Sequence, residues 1–558
     1  MPRALTSDSS LDTLKKDAKR WLRALRDGDA AAQARLLAAT PAAPALPGLR
    51  DVQLALAREY GLPGWAALRA ALEEQALARR SQAERIAIVL RAAWDGGDRP
   101  AALRILARWP ELGAANLPMA VVTGNWAAFQ RHLAADPGAA SRKTGPLGWQ
   151  PLLYLAYARL PGGDAQAVAM AQALLDQGAD PDAWFDDGWE NPFTALTGVI
   201  GEGEGYRLPH PRAAALAALL VERGASPFDT QALYNTSITG DDATWLDFLW
   251  TRCEARGLTA SWRTVPSKIG GRVPMSLLDY LLGNAVAQDH RRRAGWLLAH
   301  GAGADGVHAY SGRPLREEAL IHGYGAMAAL LERHGAAPRA LTGTAGFQAA
   351  CMRPDADAAR AMAAARPGCL GDAAVMLTAA RLGRVDVLTL LLELGMDVDV
   401  MDATGQRGLH SAVAGDSLAA VRLLVAHGAD IDRPTTQYGG PLGFAVHGGQ
   451  REIAAFLAPL SRDVPCLVRL GMQDRLRALF AAEPGLVNAP HPRSGNTPLF
   501  ALPDEEAEAL AMAEFLLAQG ADPVIRGKDG LTPAEAARKR GLEDAADLLH
   551  GEAAGPGD

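Results

Sequence analysis

The sequence predicts an all-α solenoid of stacked helix pairs. Three observations carry this: a helix-ending signature recurring at about 33 residues, a helix-opening signature between its copies, and an interior rich in leucine and alanine. The ending is Leu-Leu, a few polar residues, then Gly-Ala-Asp or a variant. Two clean copies are LLELGMDVD, with Gly395, and LLVAHGADID, with Gly428, 33 residues apart. At 558 residues the chain is too long for one ordinary core, so it must divide into domains or grow along one axis. Hydrophobic residues make up 49% of it, which excludes wholesale disorder, yet aromatics make up only 6%. Small aliphatic side chains let helix backbones approach closely.

Each element of the period has a physical reason. A helix that stops and turns sharply needs a residue at positive φ just past its last turn, and glycine takes that conformation without a Cβ penalty. Further endings stand at Gly178, Gly224, Gly301, Gly335 and Gly520, with weaker ones at Gly257 and Gly368. In a second class, at Gly138, Gly368 and Gly485, a Pro-Gly pair is expected to stop the helix. The opening signature appears as WQPLLYLA (149–156), ENPFTAL (190–196), RGLHSAV (407–413), GGPLGFAV (439–446), NTPLFAL (496–502) and LTPAEAA (531–537). Proline in the first turn is pre-organised for a helix and gives up no needed N–H. A threonine before it can cap the helix.

Together these signatures resemble ankyrin repeats, whose opening pattern is Gly-x-Thr-Pro-Leu-His-x-Ala. The likeness is densest from about 370 to 550, thinner from 145 to 340 and thinnest from 81 to 140. It implies a helix–turn–helix plus a hairpin per unit, with hairpin tips and first helices forming a concave binding surface. In the family the histidine bonds across to a neighbouring turn; His410 is the matching position, and most other copies replace it. The expected organisation is a helical leader over 1–80, irregular repeats over 81–340, more regular repeats over 341–550 and a disordered tail over 551–558. The Gly178–Gly224 interval is 46 residues, and the surplus falls in VIGEGEGYRLPHPR, 199–212. All twelve tryptophans lie at or before Trp296, so the irregular half is expected to fill larger gaps between units.

The leader carries Leu11, Leu14, Ala18, Leu22 and Leu25 on one helical face, with six lysines and arginines around the rest. It resembles the helical leader of bacterial ankyrin arrays, including the LAREYG-x-x-x-W pattern. Packing against 51–74 as an end cap is the expected role, because a terminal repeat otherwise exposes its stacking face. Contact with an anionic membrane or a partner is the alternative.

Composition narrows the function classes. A net charge of −7 argues against general nucleic-acid binding. The run His290-Arg291-Arg292-Arg293 reads as a solvated helix start, with a phosphate contact as the alternative. Four scattered cysteines show no zinc spacing and suit a reducing compartment. No run of 18 apolar residues occurs, and nothing reads as a signal peptide, so a cytoplasmic, monomeric protein with no membrane contact is expected. The twelve histidines do not cluster, and neither HExxH nor GxSxG is present. Gly201-x-Gly203-x-Gly205 fails as a phosphate loop, since no strand precedes it and Glu202 and Glu204 repel anions. No cofactor, metal or catalytic residue is expected.

What remains is surface. Trp184, Phe185 and Trp189, beside Asp186 and Asp187, fall where repeat units project their tips, and resemble an interface anchor with a polar rim. The alternative is that these rings fold back over an adjacent unit. Tyr438 is a lesser candidate of the same type. The expected function is a protein-binding scaffold or adaptor. A dedicated inhibitor, immunity or effector-type protein is the second reading, and an enzyme with a pocket near 199–280 the third.

Overall fold

The computed structural model describes the chain except residues 1, 2, 7, 8, 46, 93–97, 187, 189–191, 202, 204–207, 239, 265–272, 354, 355, 436–438, 493 and 554–558. It is an all-α array of stacked helix pairs, with one two-stranded hairpin among the described residues. The chain divides into two compact units. One holds residues 70–320 and 324–339; the other holds 1–69, 321–323 and 340–558. The leader therefore falls in the same unit as the regular repeats, although some 270 residues of chain separate them.

In the regular unit, Gly408–Ala414 and Leu418–Ala426 show how one repeat is built. Ser417 caps the second helix by accepting the Ala420 N–H. Ala420, Val421 and Leu424 face inward from it, while Leu409, Ala412 and Val413 do so from the first. First helices stack on first helices, as Ala373–Arg381, Gly408–Ala414 and Pro441–His447 do, and second helices stack likewise. Each fully buried leucine contributes about 1.5–3 kcal/mol. The helix ends as its glycine requires. Gly428 has φ of +86°, the Ala429 N–H reaches the Leu424 carbonyl at 3.0 Å, and the Gly428 N–H reaches the Val425 carbonyl at 3.0 Å. This is the Schellman arrangement, and it satisfies carbonyls that the helix end leaves open.

The Pro-Gly endings stop their helices as expected, but without a left-handed glycine. Gly138, Gly368 and Gly485 are absent from the positive-φ residues and lie in 3-10 turns, Pro137–Ala140, Pro367–Gly371 and Pro484–Asn488. The helix has already ended before each proline, which cannot donate the hydrogen bond that would continue it.

The irregular unit stacks Leu117–Val122, Pro151–Tyr157, Ala195–Ile200 and Thr230–Thr236 in succession. Trp250, Trp262 and Trp296 pack together in it. Trp250 meets Trp262 edge-on at 5.3 Å and Trp296 at 5.8 Å, and Trp296 stacks on His300 at 3.7 Å. The basic run at 290–293 is partly interior rather than solvated. Arg293 is only 2% exposed and donates to the Asp242 carbonyl and Thr236 Oγ1, while Asp241 accepts the amides of Arg292 and Arg293. Asp241 sits before the preceding repeat's outer helix, so this run ties two repeats together.

The leader folds on itself. Leu11–Arg26 packs on Ala30–Ala39 and Leu49–Glu59, burying Leu14, Ala18, Trp21, Leu36, Val52 and Leu56. The Trp21 indole donates to the Ala32 carbonyl, and Arg35 lies over the indole while pairing with Glu59 at 2.7 and 2.8 Å. No described helix is long and apolar enough to cross a membrane. The last helix, Glu543–Ala553, runs into the start of the expected tail, whose remainder lies outside the described residues.

Candidate interaction surface

The hairpin tip is built by strand alternation. Trp184–Phe185 pairs antiparallel with Phe193–Thr194, Trp184 opposite Thr194 and Phe185 opposite Phe193. Successive side chains on a strand point to opposite faces, so the two adjacent rings must part. Phe185 turns inward, stacking on Trp149 at 4.4 Å and meeting Tyr157 edge-on at 5.2 Å and Phe193 at 5.6 Å. The Tyr157 hydroxyl also donates to the Thr194 carbonyl at 2.8 Å. Trp184 turns outward and is 54% exposed. Asp186 is exposed too, and its carboxylate accepts the Gly188 N–H at 2.9 Å. Phe185 thus serves packing within the chain, and Trp184 with Asp186 forms the described part of the expected tip. Trp189, Asp187 and Tyr438 lie outside the described residues.

The insertion is strapped down where it is described. The His210 N–H reaches the Val199 carbonyl, Arg159 donates to the carbonyls of Gly198 and Leu208, and Asn235 donates to the Gly201 carbonyl. His210 is 4% exposed, with Nδ1 accepting the Arg212 amide. Burial, then the nearby Arg159 cation, holds it neutral with a pKa lowered to about 4. Buried Asp229 accepts from Thr194 Oγ1 at 2.5 Å, Thr197 Oγ1 at 3.0 Å and the Ala232 amide at 2.9 Å. Burial pushes its carboxyl up, and these donors oppose that shift. His210 and Asp229, two titratable groups of this stretch, are thus engaged in a turn and a helix cap. Among the described residues no group of histidine, cysteine and carboxylate side chains is arranged to hold a metal.

His410 is fully buried. Its Nδ1 accepts the Arg407 N–H at 3.3 Å, the ring meets Phe444 edge-on at 5.3 Å, and the backbone of Arg433 faces it. That contact spans from one repeat to the next turn. Burial, and then Arg407, lowers its pKa to about 4. The repeat glycines Gly178, Gly224, Gly301, Gly335, Gly395, Gly428 and Gly520 all have positive φ.

One polar patch was not legible in the sequence. Tyr280 and Tyr310 share a hydrogen bond at 2.8 Å, Asn284 donates to Ser237 Oγ, and Gln288 donates to the Ser237 carbonyl. Tyr310 is 45% exposed. These residues come from three successive units, and no local pattern brings them together.

Comparison with known proteins agrees with this architecture. The family model for ankyrin repeats (three copies) matches residues 347–435 and 375–467. The ankyrin repeat protein YahD of Escherichia coli (strain K12) is 29% identical over 187 residues, covering 31% of this chain and 92% of that protein. Among solved structures, the Bd0816 predatory endopeptidase from Bdellovibrio bacteriovorus in complex with immunity protein Bd3460 supplies a chain 21% identical to this one. The match covers 32% of this chain and 97% of that one, with a TM-score of 0.25, too low to carry a functional argument.

Proposed function

Because the chain is an ankyrin repeat protein, we propose that it is a cytoplasmic scaffold or adaptor that binds another protein through its hairpin tips and first helices. The observation that carries this reading is Trp184. It is a large ring, 54% exposed, on a hairpin whose opposite face is fixed by the Phe185–Trp149 stack. An exposed aromatic on a pre-organised backbone loses little entropy when it docks, which is the physical character of an interface anchor. Asp186 supplies a polar rim beside it.

The test is affinity capture with the parent chain and Trp184→Ala, followed by titration of the captured protein. The expected result is one or more partners whose affinity falls about thirtyfold or more in the variant, since anchor truncations cost about 2 kcal/mol or more. Equal affinity for both chains excludes the tip as the anchor. A single stoichiometric partner favours a dedicated inhibitor or immunity role, and several partners favour an adaptor.

A further inference from the structure

The leader meets the last repeat through charge, without a shared apolar core. Its apolar stripe is spent internally, on the Trp21-centred bundle. Neither of the two large apolar cores contains a residue before Leu77. The polar contacts, in contrast, are numerous. Lys19 Nζ lies 2.9 Å from both Asp544 and Asp547, and 3.3 Å from the Glu543 carbonyl. Lys15 pairs with Glu506 at 3.4 Å, Arg26 with Glu514 at 3.7 Å, and the Gln53 amide approaches Asp544 at 3.5 Å.

The acceptor side is built for its own reasons. Glu506, at the start of Glu506–Ala518, accepts the Glu543 and Asp544 amides that open the last helix, Glu543–Ala553. Asp544 is only 2% exposed beneath Lys19. These carboxylates suit the positive helix N-terminus, yet they crowd one another. The two lysines offset that crowding.

We propose that the leader bundle is a charge-held latch on the last repeat, released by cations that compete for Glu506, Asp544 and Asp547. Release uncovers an acidic surface that fits a basic helix, the chemistry its internal occupant already displays. Partner access to this end of the array is thereby regulated by the chain itself. Arg26–Glu514 is half exposed and Lys19–Asp547 partly so, and salt screens such pairs; Lys15–Glu506 and Lys19–Asp544 lie deeper and yield only as cations compete for the carboxylates, whereas apolar packing is not weakened by salt.

The test uses the full chain. Acylation of Lys15 and Lys19 by an amine-reactive ester, and hydrogen exchange over 543–553, are read by mass spectrometry at about 0.01 and about 1 M salt. Over that range the screening length falls from about 30 to about 3 Å. Expected is a rise of about tenfold in both rates at high salt. Lys19→Glu should raise the 543–553 exchange at low salt, and adding Asp547→Lys, which leaves the Glu506 cap on the Glu543 and Asp544 amides in place, should restore protection. Rates in the parent that do not change with salt overturn the latch, whatever the variants do.

Discussion

Replacing Gly428 by alanine isolates the cost of backbone conformation from the cost of space. A Cβ built at Gly428 meets nothing within 4 Å, and the same is true at Gly485. The two sites differ in φ: Gly428 is at +86°, and Gly485 is outside the positive region. An L-residue in the left-handed region costs about 1–2 kcal/mol. The chain could avoid that strain only by giving up the two bonds at 3.0 Å that close the helix end, each worth about 0.5–1.5 kcal/mol net. Either route places Gly428→Ala at about 1–2 kcal/mol destabilising, and Gly428→Val higher because β-branching stiffens χ1. Gly485→Ala should be neutral or stabilising by about 0.4–1 kcal/mol, because it restricts only the unfolded chain. A long repeat array does not unfold in one step, so the measure is native-state hydrogen exchange resolved over 418–429 and 473–488. The expected result is faster exchange about tenfold at the first segment in its variant and no acceleration at the second. Unchanged exchange in Gly428→Ala, or equal acceleration at both sites, refutes the argument.

Three further outcomes are expected. His210 and His410 have folded pKa values lowered to about 4 from an ordinary 6.5, so their stabilisation is complete above pH 6.5 and is lost as pH falls from there toward 4. Each contributes roughly 3 kcal/mol at most; melting curves from pH 7 to 4.5 should flatten in His410→Leu, and an unchanged slope contradicts the assignment. Phe185→Ala should cost about 2–3 kcal/mol, less than a fully buried phenylalanine, while Trp184→Ala should stay within about 0.5 kcal/mol in the same denaturation assay. A reversed order would mean that the two rings exchange faces. Glu59→Gln should weaken the leader: burial alone would raise the Glu59 carboxyl, and the hydrogen bonds and charges of Arg35 and Arg3 together overcome that and hold it low; acid should loosen the parent leader and leave the variant's response smaller.

The repeat was legible because its signals are local. A glycine at positive φ, a proline in a first turn and a leucine pair before the stop each act within a few residues, so the helix ends at Gly395 and Gly428 could be placed from sequence. The Pro-Gly sites also end their helices, but only the backbone angle shows that a 3-10 turn stands there in place of a left-handed cap. At the tip, alternation along the strand separates Trp184 from Phe185, but the Trp149 and Tyr157 rings that hold Phe185 come from another unit. The same holds for Arg293 between two repeats and for Tyr280 with Tyr310.

By itself, then, the sequence determined the repeating unit, its period and its helical character, because short-range sterics and hydrogen bonding dictate them. The tertiary structure alone decided which charges meet. Lys19 lies some 525 residues from Asp544 in the chain, and no periodicity relates a basic leader to an acidic last repeat. Coulomb attraction acts through space between whatever surfaces folding brings together, and the leader's basic face becomes informative only once its apolar face is buried elsewhere.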